Sequence, residues 1–312
     1  MECKASHRLP IINFTGEELR PGTSSWCLVR KDVRQALENY GCFEAVCDRN
    51  SADLQTVFFG ALKNLFDLPT ETKLKNTFDE PFRGYTGSSP LVPLYESMAI
   101  NDALVLERLE NFTNLMWPDG NPSFCKNVYS FIRQISSMEQ MVKRMVCESF
   151  NVEQYNDTLE ESTYYLLRVM NYRAPRMNET NVGLFPHTDR TFITVLSQNQ
   201  VNGLEIQAKD GDWIGVTPGA SSFVVMIGDA FMAWSNGRLY CPPHRVRMNG
   251  GNTRYSMGLF SFSKCIVQTP EELVDEEHPL LVKPFDHMGL RHFVNTREGP
   301  KDESVIKAYC GV

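Results

Sequence analysis

From residue 163 onward the spacing of apolar residues contracts from a helical three-and-four to short runs of strand length, and turn signals recur every few residues. The runs are Tyr164–Asn171, His187–Leu196, Leu204–Ala208, Trp213–Val216, Ser222–Ile227, Ala230–Ser235, His244–Met248 and Tyr255–Ser261. Between them stand NG, KDGD, TPGA, GD and SNGR, the turn chemistry of hairpins. A strand this short buries its apolar face only against another sheet. Eight of them so punctuated predict a mainly β core, a double-stranded β-helix (jelly roll) over residues 163–265.

The preceding residues, 1–160, have the opposite character and predict a mostly helical cover. "LVRKDVRQALENYGCFEAVCD" places Val29, Val33, Leu37 and Tyr40 at helical spacing, with Gly41 as the stop and CFEAV as a strand. "SADLQTVFFGALKNLFDLP" predicts a second helix, with Ser51 or Asp53 as its N-cap and Pro69 beyond its end. "PFRGYTGSSPLVPLYES" is rich in Gly, Pro and Ser and predicts a loop. "CKNVYSFIRQISSMEQMVKRMVCESF" carries an apolar stripe that predicts a long core-packed helix. Residues 266–312 predict a tail with one or two helices, so the chain is expected to form a single catalytic unit rather than two domains.

Composition narrows the function classes. The net charge is -7 and no stretch concentrates Lys or Arg, which argues against nucleic acid or an anionic membrane as partner. No apolar run approaches the roughly 20 residues of a membrane span, and the N-terminus lacks the apolar region of a secretory signal. The nine cysteines include no C-x-x-C pair, which disfavours a zinc cluster or a disulfide framework and predicts a cytoplasmic protein. A monomer acting on a small molecule is the expectation.

Three sequence features carry chemistry. His187 and Asp189 are two apart, and on a strand they would share one face, about 6–7 Å from each other. A lone His-x-Asp pair is more often a hydrogen-bonded core histidine than a ligand pair. His244 changes the balance, because two imidazoles and one carboxylate form the facial triad that suits non-haem Fe(II) and leaves coordination positions open. His7, His278, His287 and His292 lie in polar terminal segments and are expected at the surface or behind the site. Arg254 and Ser256 then share one face of a later strand, offering a planar fork and a hydroxyl to a carboxylate. A ligand anion or a structural salt bridge would each satisfy that arginine.

The order H-x-D, then H, then R-x-S resembles the plant 2-oxoglutarate- and Fe(II)-dependent dioxygenases. Other phrases extend the resemblance over nearly the whole chain: LPIINF, NYGCFEAV, LFDLPTETK and the run from Gly203 to Val246. GYTG, LYESMAI and MWPDGNPSFC are most similar to the branch of AOP-type and auxin-oxidising enzymes. The resemblance implies that His187, Asp189 and His244 bind Fe(II), and that 2-oxoglutarate is gripped at its far carboxylate by Arg254 and Ser256. With O2 it is converted to succinate and CO2 as a substrate C–H bond is oxidised, most simply by hydroxylation. In "NYRAP", Asn171 carries over as a contact near the iron. Arg173 stands where the family has a second tyrosine, and it either replaces that residue at the carboxylate or points elsewhere.

Strand alternation after Ser256 puts Phe260 and Phe262 on the face of Arg254, which predicts an aromatic pocket for a small, largely apolar plant metabolite or hormone. Plain barrel core is the alternative for both rings. For the whole chain, the competing readings are an iron oxidase that uses no 2-oxoglutarate and a metal-binding jelly roll without turnover.

Overall fold

The computed structural model describes residues 8–16, 19–47, 49–78, 84–217, 219, 221–296 and 304–312. The N-terminal part begins with β1 (Ile11–Asn13), α1 (Ser24–Asn39), β2 (Cys42–Val46), α2 (Arg49–Phe66) and α3 (Thr70–Lys73). It continues through β3 (Tyr85–Thr86), β4 (Tyr95–Asn101), α4 (Leu106–Met116), α5 (Pro122–Ser149) and α6 (Asn156–Ser162). Six strands follow: β5 (Thr163–Tyr172), β6 (Val182–His187), β7 (Ile193–Gln198), β8 (Leu204–Gln207), β9 (Trp213–Gly215) and β10 (Ser222–Ile227). Beyond α7 (Asp229–Trp234) come β11 (His244–Arg247), β12 (Arg254–Ser263) and β13 (Ile266–Val267). The chain closes with β14 (Phe285–Asp286), α8 (His287–Thr296) and α9 (Val305–Cys310).

The strands form an eight-stranded sheet in the order β1-β2-β10-β7-β12-β5-β4-β3 and a four-stranded sheet in the order β6-β11-β8-β9; β13 and β14 pair by themselves. Among the described residues, only the β1–β2 pairing is parallel. β5 and β12 are the long central strands, paired over ten residues from Arg254↔Tyr172 to Ser263↔Thr163. Their alternation decides the layers. Leu167, Val169, Met257 and Leu259 face the helices and join the main core, whereas Met170 and Tyr172 meet Val246 and Met248 of the other sheet.

Helix α5 is the principal cover. Asn121 caps it by accepting the Phe124 N–H at 3.0 Å, and Pro122 occupies its first turn. Val128, Phe131, Ile135, Val142 and Val146 form its buried stripe. A buried pair, Lys143 and Glu139 at 3.2 Å, ties the helix to the start of β5. Lys143 donates to Thr163 at 2.8 Å, and Tyr165 donates to Glu139 at 2.7 Å. Gly41 ends α1 with φ +67, and a Cβ there would lie 2.1 Å from the Tyr240 carbonyl, so the stop is also a close approach to another segment.

Four expectations need correction. Ala230–Ser235 is not a strand, because Ala230, Phe231, Ala233 and Trp234 bury at helical spacing within α7. Gly228 lets that helix start against the Thr191 backbone, where a Cβ would meet the carbonyl at 2.2 Å. The single strand expected over His187–Leu196 is two strands, because the chain leaves the sheet at His187 and re-enters the other sheet at Ile193. The segment around LYES is not all loop, since Tyr95–Asn101 forms β4 beside β5. Helix α2 begins at Arg49, ahead of the expected caps Ser51 and Asp53. His7 and part of the expected loop, 81–83, lie outside the described residues. Among the described residues no helix is long and apolar enough to cross a membrane.

Candidate active site

His187 and His244 face each other as a register pair between β6 and β11. Their ring centroids are 4.2 Å apart. Asp189 completes the group, with Oδ1 3.8 Å from Nε2 of each histidine. One ligand atom from each residue lies within 4.8 Å of the others. Strand alternation is not what places Asp189, because β6 has ended by then. The loop does it: the Asp189 carbonyl accepts the Asp229 N–H at 2.8 Å, and Thr194 Oγ1 donates to Asp189 Oδ2 at 2.6 Å.

Both imidazoles are oriented from behind. Nδ1 of His187 lies 2.9 Å from the Phe185 carbonyl, and Nδ1 of His244 lies 3.3 Å from that of Pro242. An Nδ1–H donating to each carbonyl leaves both Nε2 lone pairs facing Asp189. Burial, then the neighbouring His244, pushes the His187 pKa down to about 4, with Asp189 opposing the shift. A neutral imidazole is the ligand form, so the donor set of two neutral nitrogens and one carboxylate fits Fe(II).

A cavity of about 280 Å³ opens from this group between the two sheets. Leu184, Leu196, Val246 and Phe260 give it apolar walls. Arg254 is 2 % exposed and also lines it. Its Nη1 donates to Ser256 Oγ at 3.0 Å and its Nη2 to Gln198 Oε1 at 2.6 Å. Nε is buried without a partner, and among the described residues no carboxylate pairs with the guanidinium. Burial lowers the Arg254 pKa from its ordinary value, partly offset by Tyr172. A buried cation with unused donors is an anion site, which fits the far carboxylate of 2-oxoglutarate.

The structure separates the other candidates. Phe260 lines the cavity. Phe262 does not: it is stacked on Tyr164 with centroids 5.3 Å apart, and His287 and Arg291 of α8 lie against it. Asn171 falls on the opposite face of β5, beside Glu96 at 3.4 Å, so the expected contact near the iron is corrected by strand alternation. Arg173 points elsewhere and forms a bidentate pair with Glu179, at 2.7 and 2.5 Å. His278 is exposed beside Asp275 and His292 is exposed on α8, while His287 is fully buried behind the site.

Sequence reasoning missed Tyr172, Arg168, Gln198 and Thr194. Tyr172 packs its ring 5.0 Å from the Arg254 guanidinium carbon. A signal for two of them was present: in YYLLRVMNY, period two from the lone arginine gives Arg168, Met170 and Tyr172 on one face. Nothing in the local sequence distinguishes Gln198 or Thr194.

Comparison with known proteins agrees with this geometry. Residues 164–263 match the family model of the 2OG-Fe(II) oxygenase superfamily, and residues 9–103 match the N-terminal domain described as non-haem dioxygenase in morphine synthesis. The chain is 46% identical to an Arabidopsis thaliana protein named probable 2-oxoglutarate-dependent dioxygenase AOP1.2, covering 98% of this chain and 96% of the relative. It is 33% identical to 2-oxoglutarate-dependent dioxygenase AOP3 of the same plant, over 98% of each. Among solved structures, the rice dioxygenase for auxin oxidation superposes with TM-score 0.80 at 28% identity, covering 97% of this chain and 100% of that one. The triad, the buried arginine and these relatives together place the chain in the 2OG-Fe(II) oxygenase superfamily, as an Fe(II)- and 2-oxoglutarate-dependent dioxygenase.

Proposed function

We propose that the protein hydroxylates a C–H bond of a small, largely apolar plant specialised metabolite or hormone, within a double-stranded β-helix core. His187, Asp189 and His244 would hold Fe(II), which when bound supplies the oxidising chemistry that converts 2-oxoglutarate and O2 to succinate and CO2. Arg254 and Ser256 take the far carboxylate of 2-oxoglutarate, Gln198 steadies the guanidinium, and the Tyr172 ring packs on it. The apolar walls exclude water and seat the substrate beside the metal group. The auxin-oxidising activity named for the rice relative supports a hormone-sized substrate.

The observation that carries the reading is the buried Arg254 fork in the same cavity as the three ligand atoms. A metal store without turnover has no use for such a fork, and an oxidase without an oxo-acid co-substrate would leave it empty. The deciding experiment is 2-oxoglutarate titration with succinate release. Removing one partner of a buried charge pair costs about 3–5 kcal/mol, so Arg254→Gln should weaken 2-oxoglutarate roughly 100-fold or more while metal still binds. An unchanged constant would reject the assignment.

A further inference from the structure

Asp229 opens α7 behind the metal group and is 6 % exposed. The backbone around it grips the loop that carries Asp189. Beside the bond from the Asp229 N–H to the Asp189 carbonyl, the Gly228 N–H donates to the Phe192 carbonyl at 2.9 Å. The Ala230 N–H donates to that of Thr191 at 3.2 Å. The side chain adds a second grip. Its Oδ2 accepts Nη1 of Arg190 and, at 3.3 Å, the hydroxyl of Thr188. Arg190 Nη1 also donates to Thr188 Oγ1 at 2.5 Å, so the three side chains close a triangle.

This triangle lies against the chain neighbours of the whole triad. Thr188 stands between His187 and Asp189, and Arg190 follows Asp189 directly. The buried Cys241 lies three residues before His244; burial and then the Asp229 carboxylate beside it keep its thiol protonated. One carboxylate therefore meets the segments that carry all three ligands. Charge gives the contact its meaning. Arg190 is a partly buried guanidinium one residue from a metal ligand, and unpaired it would oppose a cation at the triad. Asp229 cancels that charge at its source.

We propose that Asp229 is a positioning residue that sets the metal affinity of the site, by neutralising Arg190 and holding the loop from Thr188 to Thr191 in place. This deepens the functional reading above and rests on His187, Asp189 and His244 being the ligands of Fe(II).

Equilibrium dialysis of Fe(II) against the full chain, under anaerobic conditions, tests it. Asp229→Asn keeps the shape and an acceptor but leaves Arg190 an unpaired cation, so Fe(II) should bind about 10–100-fold more weakly. Arg190→Gln removes the cation instead, so Fe(II) should bind within about threefold of wild type, or more tightly. The double substitution sets an amide against an amide and should return the affinity to within about threefold of wild type. A brace with no charge role predicts another pattern: both single substitutions weaken the metal, and the double is no better. That pattern, or wild-type affinity in Asp229→Asn, overturns the proposal. Where Asp229→Asn does not fold, the other two variants decide, and a loss of about tenfold or more in either overturns it. With metal saturating, the 2-oxoglutarate constant of Asp229→Asn should stay within about twofold of wild type. A rise of about tenfold or more would mark collapse of the whole cavity and overturn the proposal as well. Asp189→Ala separates the two readings. Wild-type Fe(II) affinity in that variant rejects the ligand assignment; loss of metal there but not in Asp229→Asn rejects only the role of Asp229.

Discussion

Tyr172 and Arg254 are register partners on β5 and β12, and the tyrosine ring lies 5.0 Å from the guanidinium carbon. The ring faces the arginine from the strand that also carries Arg168, and one alternation places both side chains at the cavity. Burial raises the Tyr172 pKa, with Arg254 and Arg168 opposing, so the phenol stays neutral and packs as a ring with a hydroxyl. Tyr172→Leu removes the face against Arg254, an interaction worth about 0.5–2 kcal/mol. The apparent 2-oxoglutarate constant should rise roughly 2–30-fold, less than for Arg254→Gln, with metal affinity unchanged. Titration of succinate release against 2-oxoglutarate measures it, and a constant equal to wild type would show that the ring contributes nothing.

Thr194 acts on the metal group from behind. Its hydroxyl donates to Asp189 Oδ2 at 2.6 Å and also meets Thr191 Oγ1 at 3.0 Å, which leaves Oδ1 of Asp189 toward the two histidines. Outer partners of metal ligands are worth about 10–100-fold in affinity. Thr194→Val keeps the shape and removes the donor, so Fe(II) should bind about that much more weakly. Thr194→Ser should recover most of the loss. Equilibrium dialysis reads both, and equal affinity in wild type and Thr194→Val would remove Thr194 from the site's support.

Much of this was legible before the structure because each signal was redundant. Helices α1 and α5 carry stripe, stop or cap signals together, so local and tertiary preferences agree. The triad was legible only jointly, since His187-x-Asp189 alone fits a core histidine. The misreadings have specific causes. A slip of one residue on β5 exchanges the faces, and that is the whole difference between Asn171 and Tyr172 at the site. Asp229–Trp234 is short enough for an apolar run to fit either period, and the close approach of Gly228 to Thr191, where the helix starts, is not visible in that run. Gln198 and Thr194 matter through partners 56 and 5 residues away, which no local pattern encodes.

Phe262 shows how the same alternation misleads at a strand end. It shares the face of Arg254, yet α8 covers it and Tyr164 stacks on it at an interplanar angle of 20°. Phe262→Ala should therefore act on stability, costing about 3–5 kcal/mol for a buried ring. Denaturant unfolding should show the loss, while the ratio of product to succinate in the folded fraction stays at its wild-type value. Uncoupled 2-oxoglutarate consumption with normal stability would return Phe262 to the substrate wall.

His287 is the buried group with a defined acid response. Its Nε2 lies 2.6 Å from the Arg190 carbonyl, and its Nδ1 accepts the Ser263 N–H at 3.0 Å, so the ring is held neutral with the proton on Nε2. Protonating Nδ1 would break the bond to β12. Burial pushes its pKa down to about 4; the Arg190 carbonyl raises it, Arg291 lowers it and Asp286 raises it. The unfolded chain binds this proton near pH 6.5, so between about 6.5 and 4 the unfolded state holds more protons than the folded one. Stability from this group is present above pH 6.5 and is lost as the pH falls toward 4, by roughly 2–3 kcal/mol at pH 4.5. His287→Gln keeps a donor and an acceptor but cannot titrate. Its unfolding free energy should fall less than that of the wild type between pH 7 and 4.5, by about that amount. Parallel pH profiles for the two proteins would show that His287 is not the group that responds.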